Sequence, residues 1–594
     1  MADHPAAGER PVPASGERPT TAPGERPAPA PGERPTTTTA ETPAPAPGER
    51  PTSAVGERPA PIVVAGAGPV GLITALGLAH HGLPVVVLEE DERLSPDTKA
   101  GSLLTRSLEI LHRYGALPPV LRAALRVDEI GEFERSTNLP RFRVRTDALA
   151  GDTRFPFIAN IPQHHLEPVL RDELERTAPG ALRMGHRVTG FRQDSAGVEV
   201  TAETASGPRV IRGSFLLGCD GGRSSVRGTL GVTVEGRTLD ERYVLVDLEV
   251  DLDIDTPRDY PYLAYFSDPE EWVVVVRLPH CWRFVYALKP GTPEPEETEL
   301  RDRALRFLGD VGPSRLVGCN VYRVHHRIAS RWRDHRVFLL GDAAHLITPM
   351  WALGLNTGAL DTSNLVWRLA WVLRGWADDR LLDGYESEQL PVASLGSGKM
   401  AEAARAVMAH RGEGVAAMTE GGWGTAQTRT LLGVRLDVDN TGDWAMVKTG
   451  DTPAPVRCGD RVPDLPLFGH AGEVHVHDLC ADSFVALHFT DARRAPLLPP
   501  PDSPALRQYV VSRWDVPPDS DLRDRLLLDP GERVRLRFGV PDDTLVLLRP
   551  DGHITAIRPF APRGDEGLAE GLYTAVTDRP PPAPLSYLEE PFSE

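Results

Sequence analysis

The chain has 594 residues, 41% of them hydrophobic and 25% charged, with a formal net charge of -19. At roughly 100–200 residues per domain, that length predicts three or four units, and the acidic balance excludes a nucleic-acid partner, whose phosphates require a basic surface. No run reaches the roughly 20 apolar residues that span a bilayer, and no basic segment followed by an apolar core opens the chain. The five cysteines, Cys219, Cys281, Cys319, Cys458 and Cys480, are scattered without a Cys-x-x-Cys pair. Free thiols in a cytoplasmic protein are therefore expected, with neither a disulfide framework nor a metal site.

In chain order, the tetrapeptide Gly-Glu-Arg-Pro begins at residues 8, 16, 24, 32, 48 and 56, the slot at residue 40 holds a decayed Ala-Glu-Thr-Pro, and only Pro, Ala, Thr, Ser and Val lie between the copies. Nothing there can bury a core, so residues 1–60 are predicted to be a disordered tail of polyproline character.

Folding begins at Pro61. The stretch PIVVAGAGPVGLITALGLAHHGLPVVVLEED predicts a strand over 62–65, then Gly66-x-Gly68-x-x-Gly71, a helix, and a second strand over 84–88 ending in Glu89. Gly66 permits the tight turn, Gly68 close approach of a pyrophosphate, and Gly71 close packing of helix on strand. The helix N-terminus offers free N–H groups and a partial positive charge. Glu89 stands where an acid binds ribose hydroxyls. Strand, helix, strand and acid in register predict a dinucleotide site, of FAD or NAD.

FLLGCDGGRSSVRGTLGV, residues 215–232, predicts another strand ending in an acid, Asp220. Arg223 and Arg227 follow it four apart, placed on one helical face by that spacing. Residues 236–321 read as strands of a separate sheet. Tyr262, Tyr265, Trp272, Arg283 and Tyr286 are its candidates to face a cavity.

LLGDAAHLITPMWALGLNTG, residues 339–358, is a third strand ending in an acid, Asp342. Ligands of open parallel sheets lie at such strand ends, and a carboxylate there suits the polyhydroxyl ribityl chain of a flavin. Gly354 to Gly358 are expected to open a long helix capped by Asn356 or Thr357. From Val392 to Met418 the pattern is helical and alanine-rich, and beyond Pro453 short strands return, with a hairpin at Asp551-Gly552.

Three motifs in order and spacing carry a resemblance: Gly66–Gly71 with Glu89, Cys219-Asp220-Gly221, and Gly341-Asp342 running to Asn356. The chain resembles the single-component FAD-dependent aromatic hydroxylases typified by p-hydroxybenzoate hydroxylase. Within them it is most similar to phenol hydroxylases and hydroxylases of aromatic polyketide biosynthesis. The resemblance implies an α/β fold. A Rossmann-like FAD-binding domain over 61–400 would be interleaved with a β-sheet substrate domain (about 236–321), followed by a helical and linker segment over 401–453. Residues 454–594 resemble the thioredoxin-like C-terminal domain of these enzymes, without its Cys-x-x-Cys.

It further implies roles. Gly66, Gly68, Gly71 and Glu89 would hold the ADP half of FAD, and Asp220 both FAD and the nicotinamide cosubstrate. Gln163 would approach FAD, and Lys99 would meet phosphate where arginine is common, with Arg106 as second choice. Asp342 would bind the ribityl chain, Gly341 and Pro349 would also belong to the cofactor site, and Gly354, Leu355 and Asn356 would contact the flavin ring through backbone N–H groups. Two glycines usually stand where this chain has Trp351 and Ala352, and Thr348 replaces the first of a usual Pro-Pro pair. Trp351 is expected to line the flavin or substrate cavity and restrict flavin movement. Tyr265, Arg283 and Trp351 are the candidate substrate residues. His345 and Trp351 are the candidate catalytic side chains, His345 being read first as structural.

The implied reaction uses NADPH or NADH, O2 and a flavin hydroperoxide to hydroxylate a small aromatic substrate, phenolic or polycyclic. The same fold also serves Baeyer–Villiger oxygenation and epoxidation, and a redox-inactive scaffold is a reading of another class. Oligomeric state is left open between monomer and homo-oligomer.

Overall fold

The computed structural model describes residues 60–96, 101–252, 260–309, 311–409, 455–494, 503–517, 520–562, 565 and 567–583, apart from the side chains of 142, 144 and 407. The repeat tail, Lys99 and most of the 401–453 segment lie outside the described residues.

Four apolar runs build the first sheet. The strand β1 (Ile62–Ala65) lies between β2 (Val85–Leu88) and the strand Phe215–Gly218, parallel to both. Val337–Leu339 continues the parallel set beyond Phe215–Gly218. The full order is Arg333–Asp334, Val337–Leu339, Phe215–Gly218, β1, β2, Leu182–Arg183. Every residue of the four central strands is buried, as expected of a parallel sheet covered on both faces. The helix α1 (Pro69–His80) and the long helix Leu353–Leu373 meet where Thr74 and Thr362 share a hydrogen bond of 2.8 Å between hydroxyls.

The second sheet has eight strands, and its longest pairing is the antiparallel pair Val234–Val250 and Ser314–Ala329, near one edge. It also recruits Glu129–Glu134, Leu139–Arg145 and His345–Leu346, all outside the 236–321 stretch. Alternation along its strands sorts the side chains onto two faces. Val244, Val246, Phe266, Val273, Val275, Trp282, Phe284 and Tyr286 pack with Leu300, Ala304 and Leu308 of the helix Glu297–Leu308. Tyr243, Tyr265, Val274 and Val276 take the opposite face, packed with Trp272, Met350, Trp351, Leu353 and the helix Lys399–Met408.

The C-terminal unit is a seven-stranded mixed sheet. Its core is a parallel trio, Leu526–Leu528, Leu506–Ser512 and Phe484–Phe489, continued by the antiparallel hairpin Thr544–Leu548 and Ile554–Pro559. The hairpin turn holds the expected Asp551-Gly552, but it does not face solvent: Asp551 is buried against the long helix, where Trp367 Nε1 donates to its carboxylate at 3.2 Å. None of the five cysteines forms a disulfide. No helix among the described residues is long and apolar enough to cross a membrane.

Candidate active site

The strands that end in Glu89, Asp220 and Asp342 all run parallel within one four-strand stretch, so the three acids emerge at the same end of the first sheet. Three strand spacings, about 14 Å, separate the outermost two strands. Between them the fingerprint loop is cut to shape. Gly66 has φ +96°, and a Cβ there would stand 2.5 Å from the Cys219 carbonyl oxygen. A Cβ on Gly71 would meet the Gly66 carbonyl oxygen at 2.0 Å. Gly68, by contrast, has no atom within 4 Å of its absent side chain. It is the N-cap of α1, no side chain caps the helix, and Pro69 starts it. Open ground over free first-turn amides fits a pyrophosphate.

Each acid has a distinct setting. Glu89 accepts hydrogen bonds from Ala67 N (2.6 Å) and Asp91 N (3.1 Å), which seats its carboxylate against the glycine loop. Asp220 accepts from Val226 N at 3.1 Å through Oδ2, while its buried Oδ1 has no partner within the chain. Asp342 is exposed on a tight turn, Gly341–Ala343. Arg227 ties two of these strand ends together, donating to the Gly222 and Ala343 carbonyls at 2.7 and 2.9 Å. Arg223 precedes the short helix Ser225–Thr229 and is exposed, so the two arginines do not share a helical face as their spacing suggested. His345 is buried beside Asp361, 2.7 Å from its Oδ2, and the same oxygen accepts from Gly341 N at 2.9 Å. That ring braces the turn carrying Asp342.

The loop that follows departs from expectation. Trp351 (φ 61°, ψ 20°) and Ala352 (φ 57°, ψ 30°) both adopt the left-handed conformation, in succession, where glycine would pay no steric cost. The turn they make starts the helix at Leu353, so neither Asn356 nor Thr357 caps it. Asn356 instead lies in the first turn and is fully used. Its Oδ1 accepts from Leu104 N (2.9 Å) and Ser107 Oγ (2.6 Å), and its Nδ2 donates to the Ser102 and Ala352 carbonyls (3.0 and 2.6 Å). Thr357 donates to Ser397 Oγ at 2.8 Å. Ala352 has no capping side chain, and the nearest atom to a Cβ on Gly354 would be the Ile347 carbonyl oxygen, 4.0 Å away. Pro349 is exposed just before the turn.

The remaining candidates divide. Gln163 opens the helix Gln163–Thr177, half-buried, and donates to Glu167 at 2.8 Å. Arg106 is not placed for phosphate: it is buried, pairs with Glu109 at 3.0 Å and donates to the Asp551 carbonyl at 2.7 Å. Tyr265 and Trp351, far apart in sequence, share one apolar cluster on the inner face of the second sheet. Arg283 is on that face too, but its guanidinium grips Asp247 through two bonds of 2.8 Å. Tyr286 points the other way, under the Arg303 guanidinium. Its strand position is odd-for-even with Arg283, a period-two signal that could have excluded it.

Residues the sequence reading passed over also line this face. Tyr243 stands edge-on to Trp272 at 5.0 Å, with its hydroxyl buried and unpartnered. Glu132 pairs in register with Tyr265, accepts from Ser267 at 3.0 Å, and leaves Oε2 buried without a partner. Burial raises its carboxyl above the usual range. Buried polar atoms lacking protein partners are uncommon in folded chains. Here one belongs to the cluster that holds Trp351 and the other pairs with Tyr265 of that cluster.

The profile of the FAD binding domain family matches residues 59–395, more than half of the chain and every strand-end acid described above. The chain belongs to this FAD-binding family. Three relatives are monooxygenases or hydroxylases by name. Para-nitrophenol 4-monooxygenase of Pseudomonas sp. is 33% identical over 56% of this chain and 83% of that one. The 6-methylpretetramide 4-monooxygenase of Streptomyces rimosus is 29% identical over 83% of this chain and 90% of its own. The 3-(3-hydroxy-phenyl)propionate/3-hydroxycinnamic acid hydroxylase of Paraburkholderia xenovorans is 35% identical, and the chain spans 52% of it, about half its length. Among solved structures, aklavinone-11 hydroxylase in complex with FAD and aklavinone superposes with TM-score 0.69 and 27% identity, covering 88% of this chain and all of that one. The protein is therefore an FAD-dependent monooxygenase of the aromatic hydroxylase type, and FAD is its cofactor.

Proposed function

We propose that this monooxygenase uses NAD(P)H and O2 to hydroxylate a phenolic, polycyclic aromatic substrate of the polyketide kind. The observation that carries the reading is Trp351. The loop leaving the Asp342 strand end drives this side chain into the tyrosine-lined face of the second sheet. A flat ring held at the strand-end edge and an aromatic substrate on that face thus become neighbours across one indole. The relatives matched along most of this chain, named for 6-methylpretetramide and aklavinone, support a polycyclic substrate.

In this reading Gly66, Gly68 and Gly71 and the first-turn amides of α1 receive the pyrophosphate, Glu89 a ribose, and Gln163 and Asp220 the middle of FAD. Gly341, Asp342 and Pro349 follow the ribityl chain, and Gly354, Leu355 and Asn356 border the flavin ring. Lys99 is retained as the phosphate-side cation. FAD supplies the redox chemistry when bound, accepting hydride and passing activated oxygen to an electron-rich ring. The protein positions that ring, keeps water out with the apolar cluster around Trp351, and binds substrate oxygens through Tyr243, Tyr265 and Glu132. Arg283, neutralised by Asp247, shapes the wall. We also read the C-terminal unit as thioredoxin-like but without redox work, because burial pushes the Cys480 thiol up to about 12.

The test is direct. Purified protein should be yellow and should oxidise NADPH faster when a polycyclic phenol is added, with isotopically labelled O2 leaving one labelled oxygen in the product. NADPH consumption indifferent to every phenol tried, or label inserted beside a ring ketone, would overturn the hydroxylase reading.

A further inference from the structure

His80 and His81 end α1 on the side of the molecule that meets the C-terminal unit, and Asp482 comes from that unit, just before the strand Phe484–Phe489. One donor atom from each lies within 4.8 Å of the other two. His80 Nε2 is already 3.0 Å from Asp482 Oδ1. His81 is 3% exposed, and its Nδ1 has no hydrogen-bond partner. We propose that His80, His81 and Asp482 form a transition-metal site that fastens the end of α1 to the C-terminal unit.

The donor set decides the metal. Two imidazoles and one carboxylate suit Zn2+ or a neighbour such as Co2+ or Ni2+, while Mg2+ and Ca2+ prefer all-oxygen shells. A tetrahedral zinc site with bonds of about 2.0–2.2 Å needs donors roughly 3.4 Å apart. The His80–Asp482 pair already stands that close, so the closure falls on the third donor. Asp482, whose side chain is 57% exposed, can swing to make it and leaves the ion a path from solvent. The rings are oriented by aromatic neighbours, His80 by Tyr114 at 5.6 Å and His81 by Trp371 at 6.2 Å. The carboxyl end of a helix also favours a cation. Arg374, which donates to the His81 carbonyl, and Arg507, beside Asp482, oppose it and weaken binding. Fourth-position water or a further ligand completes the shell. No sequence spacing announces such a site, because its third ligand arrives from another unit.

Chelator-treated holoprotein dialysed against Zn2+ in excess Mg2+ should retain one zinc per chain, counted by elemental mass spectrometry, with a higher melting temperature than the metal-free protein. Asp482→Asn and His80→Gln alter accessible side chains. Each should weaken zinc retention by about tenfold or more and abolish the thermal shift, with the flavin spectrum unchanged. If either variant fails to fold, the other decides. Zinc held equally by wild type and variants, zinc displaced by Mg2+, or no stoichiometric zinc on the wild type would each overturn the assignment.

Discussion

Trp351 and Ala352 hold a conformation that costs a non-glycine residue about 1–2 kcal/mol each. The surrounding packing must over-determine it, and Trp351 shows how: its indole is buried among the residues of the second sheet and of the helix Lys399–Met408. The two residues make separable predictions. Ala352→Gly removes strain without removing contacts and should stabilise the protein by about 1 kcal/mol, read as a raised urea midpoint. A lowered midpoint would mean that the left-handed turn is not strained. Trp351→Gly relieves the same strain but empties an indole-sized space. It should cost about 2 kcal/mol net, retain FAD, and change either the substrate range or the rate of flavin reduction. Unaltered kinetics with FAD bound would remove Trp351 from the site. The residue types at 351 and 352 were visible in the sequence as a departure from glycine; the left-handed backbone was not, since nothing local favours it.

At the scale of elements, legibility followed the range of the forces involved. The four central strands could be read because each is an unbroken apolar run, and α1 because glycines, proline and a following strand bracket it. The cap of the long helix was misplaced by four residues or more, since Asn356 looks like a cap and is instead spent on Ser102, Leu104 and Ser107, some 250 positions away. Arg106 misled for the same reason. The hairpin that claims it is also the clearest case of chemistry hidden from sequence. Asp551, Arg549, Glu388 and Arg368 form one buried charged group between hairpin and helix, and Arg106, Glu109 and Arg461 form another.

The hairpin contacts set a pH dependence. Burial alone would raise the Glu388 carboxyl, but Arg368 and Arg549 outweigh it and hold it down to about 2. Burial lowers His477 and His553 from 6.5 to about 4, so both are neutral when folded. The unfolded chain binds more protons than the folded one across both windows. Stability is therefore complete above the unfolded histidine value, falls as pH drops from 6.5 toward 4, and falls again from the ordinary carboxylate range toward 2. Urea midpoints should decline between about pH 7 and pH 5, by less in a His553→Gln variant. A flat profile would show that these histidines are not buried neutral.

Across the whole molecule, the flavin-binding part and the C-terminal unit share a core. Trp367 and Trp371 of the long helix stack edge-on with Phe484 of the C-terminal unit, and Phe484 in turn meets Tyr573 at 5.1 Å. A chain ended after Ala409 would expose both tryptophans and is expected to be insoluble. Deleting residues 1–59, which carry no apolar pattern, should leave flavin content and turnover as they were. Soluble, yellow truncated protein would refute a shared core, and lost flavin on removal of the tail would give the repeats a task.

Asn356 carries the last consequence. It fastens the helix beginning beside the proposed flavin ring to residues 102–107, and Arg106 in that same stretch grips the distant hairpin. Mechanical damage at the far end of the molecule is thereby delivered to the coloured cofactor. In a titration that loosens the hairpin, the visible spectrum should begin to drift with the fluorescence of Trp367, and the yellow of the preparation becomes a gauge of whether its C-terminal unit is still in place.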